Sequence, residues 1–177
     1  HCLLGHEHMT KENFDKAREF YQKAVHLDPR NVRAFFGLGN LALRIEKHDM
    51  AIDYFVNAIN INDKVSTFYT QLGVAYMNKK DSEQALAYFK KAETVGHVSK
   101  CNRYNKALAL LKINKFEEAK IECELLLSEV KEASVLILMG QCHQKLGCRE
   151  EAHECWLKAM DMDKKESQKI KALIESL

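Results

Sequence analysis

Small residues return along this chain at a fixed spacing, and large apolar residues follow them in step. Gly5, Gly39 and Gly73 are separated by 34 residues each. A second small series has the same spacing until its last member, which comes one residue early: Ala17, Ala51, Ala85, Ala119 and Ala152. Each period also carries one larger residue in a constant place: Tyr21, Phe55, Phe89, Cys123 and Trp156. A period of this length predicts a stack of short, similar units that bury a core only by packing on one another.

Each period predicts two antiparallel helices, A and B, with the small residues where the helices approach closely. Asp81 followed by Gln84 is a capping-box-like start for a B helix. Gly147 and Gly96 are expected to end an A helix and a B helix in the left-handed conformation. Pro29 is expected to end the first B helix.

The pattern divides the chain into a repeat array and a short C-terminal segment. The five predicted units span residues 1–31, 32–65, 66–99, 100–132 and 133–164. The fourth unit is irregular, because Lys106 replaces the usual leucine, Ala107 the glycine and Cys123 the aromatic residue. Residues 165–177 are predicted to form a capping helix over the last repeat. Its apolar residues share one stripe: Ile170, Leu173, Ile174 and Leu177.

Composition supports an ordered helical protein and narrows the function classes. Glycine occurs seven times and proline once among 177 residues, too few turn residues for a β-sandwich or barrel. The formal net charge of +2 is too balanced for a DNA-coating protein or a basic membrane binder. The sequence shows no bilayer-spanning apolar run and no signal peptide. Because the chain starts inside an apolar pattern, we expect it to be a piece of a longer protein.

The 34-residue pattern resembles the tetratricopeptide repeat (TPR) over nearly the whole chain. The resemblance implies an all-α fold, a right-handed superhelix of about five repeats with a C-terminal capping helix. Such a stack presents a concave groove lined by its A helices, which holds an extended peptide or a partner helix. Any function therefore has to be argued from the residues expected in this groove.

The expected groove residues include four cations and no acidic residue. The cations are Arg33, Arg44, Lys112 and Lys145. Units two and three add apolar side chains and neutral hydrogen-bonding groups: Phe36, Leu43 and Val74, with Asn40, Thr70 and Asn78. Cations and amide donors suit a terminal carboxylate, and apolar walls suit a neighbouring side chain. The alternative for each of these residues is an ordinary solvated charge or packing between repeats.

Several short runs are similar to one TPR family in particular, the coactivator-receiving scaffold subunit of the anaphase-promoting complex. These runs are Leu3–Glu7 (Leu-Leu-Gly-His-Glu), Asp15–Ala17, Pro29–Arg30, Gly37–Gly39 and Ala159–Asp163. The resemblance implies a non-catalytic part of a cell-cycle ubiquitin ligase that acts in mitosis, in nucleus and cytoplasm. Implied partners are coactivators that end in Ile-Arg and other TPR subunits of the complex. The full-length protein is expected to dimerise through N-terminal repeats that this fragment lacks, so the fragment itself is expected to be monomeric.

The resemblance implies an Ile-Arg tail as the ligand, and the repeat geometry predicts which groove residues bind it. Arg33 and Asn40, with Arg44 as a further cation, hold the terminal carboxylate. The isoleucine lies between Phe36, Leu43 and Val74, with Thr70 as a neutral donor in the same groove. Glu7, in the matching Leu-Leu-Gly-His-Glu run, pairs with the arginine of the tail.

Three other readings remain open at this stage. A co-chaperone-type TPR would clamp an acidic chaperone tail, but His6, Thr67 and Thr70 stand at groove places where that site needs Asn or Lys. A structural solenoid of another assembly would hold a partner helix. An enzyme has little support, because no phosphate loop, Gly-x-Ser-x-Gly or HExxH motif is present. The six cysteines form no CxxC pair, so we expect reduced thiols without a metal or cofactor. The cysteines of the last unit are expected to be small buried residues.

Overall fold

The computed structural model describes residues 1–97 and 99–176, and every regular element in these two ranges is helical. Ten helices form five consecutive antiparallel pairs: α1 Cys2–Thr10 with α2 Phe14–Leu27, α3 Val32–Arg44 with α4 His48–Ile61, α5 Ser66–Asn78 with α6 Ser82–Val95, α7 Lys100–Lys112 with α8 Phe116–Glu129, and α9 Ala133–Lys145 with α10 Arg149–Met162. A 3-10 turn, Lys164–Glu166, leads into α11, Ser167–Glu175. The predicted all-α fold class is confirmed.

The chain forms two compact units, His1–Val98 and Ser99–Leu177. The first unit contains three helix pairs, and its core includes the buried residues Ala51, Phe55 and Leu72. The second unit contains two helix pairs and α11, with a core that includes Leu138 and Trp156. Each unit therefore buries its own apolar side chains.

The periodic glycines are required where a ring of helix B lies on the backbone of helix A. A Cβ atom on Gly39 would collide with the Phe55 ring, and one on Gly73 would collide with Phe89. Gly140 stands in the same relation to Trp156. In each pair the ring follows the glycine by 16 residues, so the sequence spacing reports a direct contact between the two helices of one repeat.

The fourth helix pair has neither the glycine nor the ring at this contact. Ala107 occupies the glycine position and Cys123 the ring position, and both side chains are fully buried. Ala107 is larger by one methyl group than the glycine of the other repeats. Cys123 is smaller than the ring that it replaces, so it leaves room for that methyl group. The irregularity seen in the sequence is thus a paired exchange of volume.

We expect Cys123→Phe alone to destabilise the second unit by about 1–3 kcal/mol, because the ring overpacks against Ala107. Adding Ala107→Gly restores the arrangement of the other repeats, so the double variant should lose less stability than the sum of the single variants. Urea titration followed by Trp156 fluorescence measures this, since Trp156 is the only tryptophan and lies in the second unit. A strictly additive double variant would show that the two positions do not share one space.

The turns from helix A to helix B repeat one backbone conformation. A residue with positive φ follows the end of every A helix: Glu12, Glu46, Lys80, Asn114 and Gly147. The next amide donates back to a carbonyl in the last turn, for example Cys148 N to His143 O at 2.9 Å. Only the last turn uses glycine, with a φ of 82° at Gly147, as predicted. The other four place side chains in a conformation that costs about 1 kcal/mol.

The prediction for Gly96 is wrong. Gly96 has φ −177° and ψ −157°, which is extended backbone and not the left-handed conformation. The reason is general to this chain, since the B helices α2, α4, α8 and α10 also end on an extended residue. Pro29 follows this pattern, because α2 ends at Leu27 and Asp28 is already extended.

The B helices differ in how they begin. The Asp81 carboxylate accepts a hydrogen bond from the Gln84 amide at 3.0 Å, so this predicted cap is present. Asn13 caps α2 in the same way, through the Lys16 amide at 3.3 Å. A side-chain cap at such a place contributes about 1 kcal/mol to helix stability.

The C-terminal helix covers the last repeat through one buried residue. Ile170 is fully buried and packs in one cluster with Trp156 and Ala159. Leu173 and Ile174 are partly buried against the same cluster. Leu177, the fourth member of the predicted stripe, lies outside the described residues.

Candidate peptide-binding site

Four of the predicted groove residues lie along one face of α3. Arg33, Phe36, Asn40 and Leu43 are spaced by three, four and three residues, which places them on one side of the helix. We call this set the α3 stripe. Within the first unit, α3 contacts both α1 and α5, so the stripe has an A helix on each side.

The middle of the α3 stripe is an apolar floor. The Phe36 ring lies 5.9 Å from the Phe55 ring and 5.2 Å from the Phe68 ring, measured between centroids. Leu43 packs against the same core and stays partly exposed. Val74, on the neighbouring helix α5, is also partly exposed. Phe36, Leu43 and Val74 therefore each keep apolar surface that an aliphatic side chain could contact.

The polar members of the stripe are free to bind a ligand. Among the described residues, the Arg33 guanidinium has no ion-pair partner and the Asn40 amide has no hydrogen-bond partner. Arg33 is exposed and Asn40 is half-buried. A cation and an amide without protein partners are suited to an incoming carboxylate.

Arg33 also lines a hollow of about 300 Å³ together with Asp28, Asn31 and Cys2. The Asn31 side chain is already used, because it accepts from the Ala34 amide at 3.0 Å and the Cys2 thiol at 3.5 Å. The Asp28 carboxylate accepts only from the Arg30 amide, at 3.0 Å, among the described contacts. The lining of the hollow thus includes the Arg33 cation and the Asp28 carboxylate, together with His1.

Asp28 was missed by sequence reasoning, which sought the site on the A helices alone. It belongs to the end of helix B, and only the folded repeat brings it beside Arg33. The available signal in the sequence was its position directly before Pro29 and five residues before Arg33, a predicted groove cation.

Arg44 lies at the C-terminal end of α3, and its side chain already has binding partners within the protein. Its guanidinium forms an ion pair with Glu12 at 3.1 Å and lies 5.7 Å from the Phe14 ring centroid. Arg33 and Arg44 are 11 residues apart, which is about 16 Å along a helix. One carboxylate cannot reach both, so the structure does not bring Arg44 to the group expected around Arg33.

Glu7 and Thr70 also lie off the predicted group. Glu7 is exposed and forms an ion pair with Lys11 at 2.6 Å, and this hydrogen bond lowers the pKa of the Glu7 carboxyl. Leu41 occupies the position in the second repeat that corresponds to Glu7 in the first. Leu41 is buried, on a different face of α3 from the stripe. Thr70 is buried, and its hydroxyl donates to the Ser66 carbonyl of its own helix at 3.3 Å.

Two of the five cysteine and histidine residues of the last repeat, Cys142 and His143, are part of its packing. Cys148 and Cys155 are half-buried and His153 is exposed, so the prediction of buried thiols in this repeat is correct only for Cys142. Cys142 is fully buried and His143 is 9% exposed. The hydrogen bond with Cys142, together with burial, raises the pKa of the Cys123 thiol, which keeps it protonated. In the described ranges no three His, Cys, Asp or Glu side chains form a group that could hold a metal ion. None of the described helices is long and apolar enough to cross a membrane.

Comparison with known families agrees with the repeat geometry. Residues 2–63 and 66–95 match two family profiles described as tetratricopeptide repeat, together just over half of the chain. The chain belongs to the tetratricopeptide repeat family. The TPR prediction made from the 34-residue spacing is therefore confirmed.

Among curated proteins, anaphase-promoting complex subunit 3 of Schizosaccharomyces pombe is 30% identical over 178 residues, covering all of this chain and 27% of that protein. Cell division cycle protein 27 homolog B of Arabidopsis thaliana is 32% identical over 163 residues, covering 92% of this chain and 22% of that protein. The Hsp70-Hsp90 organising protein of Plasmodium falciparum is 24% identical over 99 residues, or 52% of this chain and 18% of that protein. This TPR chain thus spans about a quarter or less of these relatives.

A solved structure with the same fold is that of the APC/C hetero-tetramer Cut9-Hcn1, with a TM-score of 0.81 and 15% identity. The match covers 98% of this chain and 34% of that one. At this level of identity the likeness concerns the TPR fold alone.

Proposed function

We propose that this TPR chain is a non-catalytic, peptide-binding part of a scaffold subunit of the anaphase-promoting complex, acting in nucleus and cytoplasm. It binds the C-terminal Ile-Arg tail of a coactivator on the α3 stripe. Support comes from the similarity to anaphase-promoting complex subunit 3 of Schizosaccharomyces pombe and to cell division cycle protein 27 homolog B of Arabidopsis thaliana, which extends over nearly the whole chain. Neighbouring TPR subunits are the other proposed partners, and dimerisation belongs to a segment outside this chain.

The observation that carries the proposal is the unpaired Arg33 beside Asp28. A C-terminal arginine carries two charges close together, a carboxylate and a guanidinium. Arg33 pairs with the carboxylate, and Asp28 pairs with the guanidinium in the same hollow. The preceding isoleucine then lies towards Phe36, the next residue of the stripe. Asp28 replaces Glu7 in this assignment, because Glu7 is held by Lys11 on another face.

Fluorescence anisotropy with a labelled peptide that ends in Ile-Arg tests the proposal. The free acid should bind, and the C-terminally amidated peptide should bind at least tenfold more weakly. Arg33→Ala should weaken binding of the free acid by about 10- to 100-fold, the effect of losing a charge-assisted hydrogen bond worth about 1.5–3 kcal/mol. The same variant should barely change binding of the amide.

Arg149→Ala is the matched control, since Arg149 is exposed and lies on α10 in the second unit. It should bind the free acid as the unchanged protein does. Equal binding of acid and amide, or equal loss in the Arg33 and Arg149 variants, would contradict a carboxylate site at Arg33.

A second candidate is binding of acidic chaperone tails, favoured by the similarity to the Hsp70-Hsp90 organising protein. A peptide that ends in Glu-Glu-Val-Asp distinguishes the two readings in the same assay. We expect it to bind more weakly than the Ile-Arg peptide, because Asp28 repels its acidic side chains. Stronger binding of the acidic peptide would favour the co-chaperone reading.

A further inference from the structure

The first and third repeats each stack two rings at equivalent places. In the first repeat the rings of His8 and Phe20 lie 5.3 Å apart with planes inclined by 6°. In the third repeat the rings of Tyr76 and Tyr88 lie 5.2 Å apart with planes inclined by 14°. The first ring of each pair comes three residues after the periodic glycine of helix A, and the second comes from helix B.

The second repeat has only one of these two rings. Tyr54 stands at the place of Phe20 and Tyr88, but Ala42 stands where His8 and Tyr76 supply the other ring. Across the described part of the chain, no ring stacks on Tyr54. Because Ala42 has no ring, a space remains beside Tyr54. In the first and third repeats the rings of His8 and Tyr76 fill the corresponding space.

This space is a hollow of about 240 Å³. Its walls are apolar: Leu38, Leu41, Ala42, Ile45, Met50 and Tyr54. An apolar cavity of about 150 Å³ is large enough to bind benzene. The hollow therefore has room for one aromatic ring, and it reaches the surface where Met50 is 45% exposed.

The charged residues around the hollow are cations. Arg18, Lys47 and the neutral Gln22 line it, and none of the described acidic residues does. Lys47 is exposed and has no ion pair among the described residues. Arg18 is held only loosely, at 3.8 Å from an Asp15 carboxylate that is 95% exposed. An occupant with a negative charge next to its ring would gain from both cations.

We propose that this hollow binds an aromatic side chain, flanked by acidic residues, from an extended segment of a partner protein. The incoming ring stacks on Tyr54 in the place that His8 and Tyr76 fill in the adjoining repeats. Its acidic neighbours pair with Lys47 and Arg18. The site is separate from the α3 stripe, because Ala42 follows Arg33 by nine residues, or about half a turn of net rotation around α3.

The test uses the full chain and two capped peptides, acetyl-Asp-Phe-Asp-amide and acetyl-Asp-Ala-Asp-amide. The readout is the methyl resonance of Met50 in protein labelled with ¹³C-methyl methionine, assigned by the Met50→Leu variant. The phenylalanine peptide should shift this resonance in a saturable way, and the alanine peptide should not. Ala42→Tyr should abolish the shift without lowering the melting temperature, because Tyr76 shows that a tyrosine stacks at this place.

Two further variants cover the other outcomes. If Ala42→Tyr does not fold, Ala42→Leu fills part of the hollow and should weaken binding at least threefold. Lys47→Glu should weaken binding of the acidic peptide by about two- to fivefold, the range for an exposed ion pair. Acetyl-Lys-Phe-Lys-amide should bind more weakly than the acidic peptide.

Three results would overturn the proposal. One is an equal response of Met50 to the phenylalanine and alanine peptides. Another is equal affinity for the acidic and the basic peptide. The third is concentration-dependent self-association in sedimentation velocity that Ala42→Tyr removes, since the hollow would then receive a second copy of this chain. Binding of the Ile-Arg tail is unaffected by any of these, so the two proposals can fail separately.

Discussion

Trp156→Ala is expected to destabilise the second unit by about 3–5 kcal/mol, the usual range for removing a large buried aromatic side chain. Trp156 is fully buried, and its indole Nε1 donates to the Ile137 carbonyl at 3.1 Å. It is also the residue on which Ile170 of α11 packs. The substitution therefore removes ring volume from the last helix pair and the support of the C-terminal helix together.

Urea unfolding followed by circular dichroism at 222 nm measures this effect, since the variant has no tryptophan. Trp156→Phe is the matched control, because phenylalanine fills the same place in the second and third repeats as Phe55 and Phe89. It should cost about 1–2 kcal/mol, from the lost hydrogen bond and the smaller ring. Equal losses in the two variants would mean that the indole hydrogen bond, and not the ring volume, holds the unit together.

Glu122→Ala is expected to cost about 3 kcal/mol, the lower end of the range for breaking a buried ion pair. Glu122 and Lys106 are each only 12% exposed, and Lys106 Nζ lies 2.9 Å from Glu122 Oε1. Arg103 Nη1 lies 3.5 Å from the other carboxylate oxygen. Without the carboxylate, Lys106 lies close to a second cation with little access to water, and Arg103 keeps only its longer contact with Glu129 at 3.9 Å.

Glu124→Ala is the control on the same helix. Glu124 forms an exposed pair with Lys120 at 3.9 Å, so its removal should cost less than about 1 kcal/mol. Replacing Lys106 and Glu122 together by leucine should be neutral or stabilising, because it exchanges a buried pair for apolar packing. Trp156 fluorescence in urea reports all three. Similar losses for the Glu122 and Glu124 variants would show that burial does not strengthen the Lys106–Glu122 pair.

The Lys106–Glu122 pair also shows why one departure from the repeat pattern does not break the fold. Lysine replaces the leucine of helix A, and glutamate stands at the B-helix place that Phe20, Tyr54 and Tyr88 fill in the first three repeats. Each substitution alone would leave a poorly solvated charge. Together the two charges satisfy each other across the helix pair. The sequence shows both departures, but only the structure shows that they are partners.

The candidate site was predictable in part. The helical spacing of Arg33, Phe36, Asn40 and Leu43 follows from the repeat register, and the structure places all four on one face of α3. The same counting assigned three further residues whose side chains have other partners. Arg44 pairs with Glu12, Glu7 pairs with Lys11, and Thr70 donates to the Ser66 carbonyl. Counting along a helix gives the face of a residue and says nothing about competing partners from other segments.

The helix pairs, their register and the all-α repeat fold follow from the amino-acid sequence, because a contact between a glycine and a ring within one repeat recurs at a constant spacing. The irregular repeat is also recognisable in the sequence. Three further features are visible only in the folded protein: Asp28 lines the same hollow as Arg33, the small side chain of Cys123 leaves room for the methyl group of Ala107, and Ala42 leaves a hollow beside Tyr54. These three facts depend on side chains from different helices sharing one volume. The linear pattern of a single sequence does not encode that sharing, since each helix shows its own periodicity and not the shape of the space between helices.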